Sequence, residues 1–222
     1  VYDSAGCFGT TLKFFDSIIK AGGHVYKFHP PTLRLIGLNY NYRNHRKIVV
    51  IDGRIGYLGG MNVGKEYMSL DPNYSPWRDA HLRLVGDAVW DLQHRFFRDY
   101  FMVCEDKRDE VHIQSNLDHY FTASLVTTIC PIQIVSDGPD TPTDDIKLAF
   151  VKMMQTATKS IRIQTPYFIP DQLFLETLKI AAYSGVKVEV MIPTIADHHY
   201  VYRTTTSFIH ELLEANIDVY LY

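Results

Sequence analysis

Long apolar runs are missing from this chain of 222 residues. No uninterrupted hydrophobic stretch approaches the roughly 18 residues that a membrane-spanning helix needs, and the N-terminus lacks the basic-then-apolar order of a secretory signal. Any membrane attachment is therefore expected through segments absent from this chain. Cysteine is scarce: Cys7, Cys104 and Cys130 are widely spaced and form no CxxC. That argues against a disulfide framework and a zinc site, and fits a reducing compartment. Charge of either sign is also lacking in excess, with 22 Lys and Arg against 25 Asp and Glu, a net charge of -3 and no Lys/Arg run longer than two residues. Nothing here pulls generally toward nucleic acid, and no nucleic-acid partner is expected. What the chain has in quantity is apolar material, 46% hydrophobic and 13% aromatic, ample for a buried core.

Against that background one stretch stands out, NHRKIVVIDGRIGYLGGMN from Asn44 to Asn62. His45 and Lys47 are two positions apart, so on an extended chain both side chains leave the same face. Asp52 has the opposite parity and opens Asp52-Gly53, a hairpin signal between two apolar runs. A histidine with Lys at +2 and Asp at +7 arises by chance in roughly one protein in thirty. Gly59-Gly60 and Asn62 on the returning arm make coincidence much less frequent. A core histidine satisfied by a backbone carbonyl is the plain alternative for His45. The same-face lysine argues against it, because a buried ammonium is costly unless an anion arrives.

A phosphodiester suits these groups. Lys47 and Asn62 supply donors for the non-bridging oxygens as phosphorus becomes five-coordinate. A neutral imidazole can attack phosphorus if its other nitrogen is held by an acceptor. Asp79, just before the strand HLRLV, is a candidate for that acceptor; an ion pair with a basic neighbour such as Arg78 is the other reading. The Asp197-His198-His199 run is set aside as a metal site, because adjacent histidines diverge on a helix and no third ligand is evident.

Periodicity predicts a helix over Thr11–Ala21, a strand VYKF, a hairpin, the strand HLRLV and a helix from Asp87 to Met102. Lys107 to Thr128 is polar and weakly patterned, so a connection is expected there. The second half alternates: strand IQIV, helix Ile146–Ala157, strand IRIQT, helix Leu173–Tyr183, strand VKVEVMI, a helix ending at Ala215 and strand IDVYLY. This order predicts an α/β fold with a parallel or mixed sheet. Phe14–Phe28 aligns with Phe208–Tyr222 without a gap, which reads as an internal duplication. The second copy of the motif would then fall beyond Tyr222.

The sequence His45-Arg-Lys47-IVVI-Asp52 followed by GGMN resembles the HxKxxxxD signature of the phospholipase D superfamily. The segments GGMNVGKEY, PWRDAHLRLVGDAV, IRIQTPYFIPD and IPTIADHHYVYRTTTSFIHELLEANIDVYLY resemble bacterial cardiolipin synthases more than other branches. The resemblance implies a mixed sheet flanked by helices in a duplicated two-lobe architecture, here truncated at both ends. It divides the chain into part of a first lobe at 1–106, a connection at 107–129 and the start of a second lobe at 130–222. It implies metal-independent, cofactor-free transfer of a phosphatidyl group from one phosphatidylglycerol to another at a cell membrane, with the catalytic part cytoplasmic. His45, Lys47, Asp52 and Asn62 match the family's site positions, and Asp79 matches the carboxylate that orients the histidine in related members. Lys65 stands where an acidic residue is frequent. With one motif the isolated chain is expected to be inactive, unless a homodimer pairs two copies. A hydrolytic phospholipase or phosphodiesterase and a catalytically silent binding domain are the competing readings.

Overall fold

The strongest local instruction is the hairpin. In the computed structural model, which describes residues 1–28, 43–72, 76–123, 126, 130–138, 141–195 and 199–222, Asp52 and Gly53 have φ of 54° and 63°. Asp tolerates this left-handed region and Gly adopts it freely, so the chain reverses between β3 (Ile48–Ile51) and β4 (Ile55–Gly59). The register pairs Ile48 with Leu58 and Ile51 with Ile55, and β5 (His81–Val85) adds on the far side with Gly59 opposite His81. The result is an antiparallel meander in the unit Val1–Ile134.

One face of that meander is covered by α2 (Ala88–Val103), whose Val89 and Leu92 are fully buried against Ile48, Val50, Leu58 and Leu84. The aromatic residues of α2 serve packing: Phe97 and Tyr100 are buried, and Phe97 meets Tyr120 edge-on with centroids 5.1 Å apart. A short parallel pair, β1 (Tyr2–Asp3) with β2 (Lys27–Phe28), precedes the hairpin, and α1 (Asp16–Lys20) lies between them in sequence.

One expectation needs correction, and the stretch from Lys107 holds more local order than its pattern suggests. Part of the polar stretch from Lys107 is helical, as α3 (Lys107–Ser115) and α4 (Leu117–Tyr120). Its order comes from caps and tertiary contacts rather than from an apolar stripe. The Asp106 carboxylate accepts from the Arg108 amide at 2.9 Å, and the Trp90 indole donates to the Thr122 carbonyl at 3.0 Å. The strand expected over IQIV (132–135) does not form; those residues are irregular, and Ile134 packs against the Leu84, Val89 and Leu92 cluster.

The unit Val135–Tyr222 is a parallel sheet in the order β6 (Ser160–Gln164), β7 (Lys187–Ile192), β8 (Asp218–Leu221). The helices α5 (Asp145–Thr156), α6 (Gln172–Tyr183), α7 (His199–Ser207) and α8 (Ile209–Glu214) connect or precede these strands. Val188, Val190 and Ile192 alternate into a core shared with Leu175, Leu178, Leu212, Ala215 and Ile217. Phe168, in the loop after β6, belongs to the same core, whereas its neighbour Tyr167 is exposed. The observed architecture is the mixed α/β arrangement expected. Asp197 and His198 lie outside the described residues.

The internal similarity extends to hydrogen bonds. At the end of α1, Gly22 has φ of 87°, its N–H donates to Ile19 O at 3.0 Å, and Gly23 N–H donates to Ile18 O at 2.9 Å. At the aligned end of α8, Asn216 has φ of 57°, its N–H donates to Leu213 O at 3.0 Å, and Ile217 N–H donates to Leu212 O at 3.0 Å. Both are Schellman caps, which turn a helix directly into the following strand. Burial differs between the copies: Leu212 is 1% exposed, whereas its aligned partner Ile18 is 50% exposed. In urea denaturation, Leu212→Ala should therefore lose about 3 kcal/mol, and Ile18→Ala about 1 kcal/mol or less. Equal losses would show that the two helices are packed alike.

Candidate active site

The segment leading into β3 has two faces of different chemistry. Asn44 and Arg46 point toward α2: Asn44 Nδ2 donates to Asp99 Oδ2 at 2.9 Å, and Arg46 Nη1 approaches the same oxygen at 3.4 Å. Ile48 and Val50 continue that face into the apolar cluster. His45 and Lys47 occupy the alternate positions and leave the opposite face, as period two requires. Both sit just before the paired strand rather than inside it.

The environment sets their charge. Desolvation, followed by the nearby Lys47 and Arg43, pushes the His45 imidazole below its ordinary pKa, with Asp3 opposing. Desolvation also lowers the Lys47 ammonium, against the pull of Asp79 and Asp3. Lys47 Nζ donates to the His45 carbonyl at 2.8 Å, which holds its head beside the histidine. The site thus presents a neutral imidazole next to a cation at neutral pH.

Asp79 reaches this region over the glycine pair. Gly60 N–H donates to Ala80 O at 3.0 Å, continuing the pairing of β4 with β5 by one step. A Cβ on Gly60 would lie 2.1 Å from Asp79 Oδ1, so the carboxylate rests where a side chain would otherwise stand. Gly59 likewise clears space for His81, whose Nδ1 would be 2.7 Å from an added Cβ. That Nδ1 is buried and has no hydrogen-bond partner among the described residues. Asp79 Oδ1 accepts from the Ala80 amide at 2.7 Å and its charge acts on Lys47; among the described residues no hydrogen bond joins it to His45. Asn62, just past the end of β4, donates through Nδ2 to the Tyr67 hydroxyl at 2.7 Å, and the Tyr67 ring lies 5.1 Å from that of Trp77.

His45, Lys47, Asn62 and Asp79 therefore gather at one end of the meander. Asp52 does not join them. It occupies the hairpin turn at the other end of β3, roughly 15 Å from Lys47 at about 3.3 Å per strand residue. Its carbonyl accepts from Thr122 Oγ1 at 3.3 Å, and its neighbour Gly53 lies so close to Tyr120 O that a Cβ would be 2.2 Å away.

Sequence reasoning also missed two carboxylates that hold the segment. Asp3 accepts from the Ala5 amide at 3.0 Å, the Gly6 amide at 2.6 Å, Arg43 Nη2 at 3.0 Å and the Asn44 amide at 2.9 Å. Burial alone would raise its pKa, but these donors more than offset that and hold it below the usual aspartate value. Asp99 is the second. Neither carries a motif: one is 41 positions from Asn44 and the other 55.

The mixed α/β architecture is consistent with a phospholipase D-like fold. Residues 150–222 match the family model described as "Cardiolipin synthase, PLD-like domain". Over all 222 residues the chain is 45% identical to the major cardiolipin synthase ClsA of Bacillus subtilis (strain 168), covering 45% of that protein. It is 43% identical to a cardiolipin synthase of Listeria monocytogenes serotype 4a and 46% identical to one of Staphylococcus aureus (strain Mu50), covering 45% and 44% of them. The chain is thus similar along its whole length to proteins named cardiolipin synthases and spans a little under half the length of these relatives.

The electrostatic account has a direct test by NMR titration of the histidines. Lys47→Met removes a neighbouring positive charge, so the His45 pKa should rise; Asp3→Asn removes a neighbouring negative one, so it should fall. A His45 pKa that stays put in Lys47→Met would separate the two side chains.

Proposed function

We propose that the protein to which this chain belongs is a phosphatidyltransferase that joins two phosphatidylglycerol molecules into cardiolipin and glycerol. The observation that carries this reading is the pairing of a depressed-pKa imidazole, His45, with the Lys47 ammonium on one face of the hairpin. A neutral imidazole nitrogen has the lone pair to attack phosphorus. As the nitrogen–phosphorus bond forms, the bond to the glycerol oxygen breaks and the leaving oxygen takes up a proton. The hydroxyl of a second phosphatidylglycerol then attacks phosphorus, gives up its proton and frees the imidazole. The resemblance implies a second copy of the motif elsewhere in the protein, and the two imidazoles would divide the nucleophile and acid roles. Lys47 and the Asn62 amide would carry the charge that grows on the non-bridging oxygens. The similarity to proteins named cardiolipin synthases supports the same reaction.

Phosphatidylglycerol resides in a bilayer, so the site would work at a membrane surface, on its cytoplasmic side. Among the described residues no helix is long and apolar enough to cross a membrane. Hydrolysis to phosphatidic acid differs only in using water as the second acceptor.

The deciding assay supplies the full-length protein with phosphatidylglycerol vesicles and follows the products. Cardiolipin with an equal amount of glycerol is expected; phosphatidic acid in place of cardiolipin would identify a phospholipase. His45→Ala should abolish turnover, and near-normal activity in that variant would sink the site assignment. Lys47→Ala should lower kcat by at least about 100-fold, equivalent to about 3 kcal/mol of lost oxyanion stabilisation. Turnover should persist in EDTA, because Lys47 and Asn62 supply the electrophilic assistance; loss of activity that zinc or magnesium restores would point to a different mechanism.

A further inference from the structure

Asp99 is a buried carboxylate, 4% exposed, in the C-terminal half of α2. It accepts from Asn44 Nδ2 and Arg46 Nη1, and pairs closely with Arg95, which is 5% exposed. A buried ion pair is poor value for stability alone, because apolar side chains of similar volume hold a strand against a helix equally well. Apolar contact, however, permits a strand to roll about its axis. Two directional hydrogen bonds to alternate residues do not. Asn44 Oδ1 also accepts from the Arg46 amide at 3.0 Å, and the Asn44 amide donates to Asp3 at 2.9 Å, so the backbone on either side of His45 is tied down.

We propose that Asp99 is a positioning residue: through Asn44 and Arg46 it fixes the rotation of the segment and so the direction in which His45 and Lys47 face the phosphodiester. The proposal rests on the reaction assigned above. Asp99 is buried and engaged by Asn44, Arg46 and Arg95, so its loss should leave binding intact and slow the chemical step. A displacement of the order of 1 Å at a reacting group costs about 100-fold in rate.

The test uses the full-length protein with Asp99→Asn, Asn44→Ala and the double variant on phosphatidylglycerol vesicles, with folding followed by circular dichroism. Asp99→Asn is expected to lower kcat about 10- to 100-fold with KM within about two-fold of wild type. Asn44→Ala should lose less in the same direction, and the double variant should be no slower than Asp99→Asn, because both act along one path. A kcat per folded molecule within about two-fold of wild type would overturn the proposal, as would multiplicative losses in the double variant. If Asp99→Asn does not fold, Asn44→Ala decides: a lower kcat at unchanged KM supports positioning, and wild-type kcat refutes it. The His45 imidazole resonance is read by NMR in the same proteins. Should wild type leave phosphatidylglycerol untouched, the reaction fails; a His45 resonance shifted by Asp99→Asn then still upholds the positioning, and an unmoved one removes it.

Discussion

An extended chain turns its side chains over at every residue, and between Asn44 and Val50 that period of two is the constraint on which the site depends. Asn44, Arg46, Ile48 and Val50 face α2, where a carboxylate and an apolar cluster receive them. His45 and Lys47 are then obliged to face the other way. Burial energy is spent on one side of a few residues and chemistry is displayed on the other, without a loop or a strained backbone to present it. Only the turn residues Asp52 and Gly53 leave ordinary φ space within the hairpin, and they do so far from the reacting groups.

The charges at the site are balanced by opposing influences. Desolvation, then Lys47 and Arg43, push the imidazole's pKa down, while Asp79 and Asp3 support the lysine's own charge against desolvation. Asp3 is committed to Arg43 and to backbone amides, while Lys47 makes its short hydrogen bond to the His45 carbonyl. An arriving phosphate oxygen would be a stronger acceptor than that carbonyl, since both partners would be charged. The resting bond is thus a holding position.

Much of the fold was legible because its signals are local. Asp52-Gly53 specified the hairpin, and Gly185, Gly22 and Asn216 end helices at left-handed positions that few other residues accept. The helices over 145–156 and 172–183 follow their apolar spacing closely. The stretch 107–120 was not legible, since its helices depend on the Asp106 cap and on the contact between Phe97 and Tyr120. IQIV fits a strand by composition, yet Ile134 is used as a packing contact instead. At the site, spacing singled out His45, Lys47 and Asn62 as candidates. The ties from Asp3 and Asp99 were invisible because a buried aspartate in an amphipathic helix looks like a solvated one until its partners are known. Asp52 shows the reverse: its place in the pattern is plain, and the structure sets it in the hairpin turn, away from Lys47.

That last point changes how the spacing between Lys47 and Asp52 reads. Four paired residues separate the ammonium from the turn, and β4 returns along the same register to deliver Gly59, Gly60 and then Asn62 beside the starting point. The hairpin is a ruler. Adding or deleting one residue in either arm would swap inward for outward positions along that arm and bury the imidazole while exposing the anchor. Leu70 to Pro72 lie outside the ladder and carry no such parity. Length variation should therefore be tolerated there and excluded between His45 and Asn62, so that one stretch of this protein is fixed by counting and the other is free to drift.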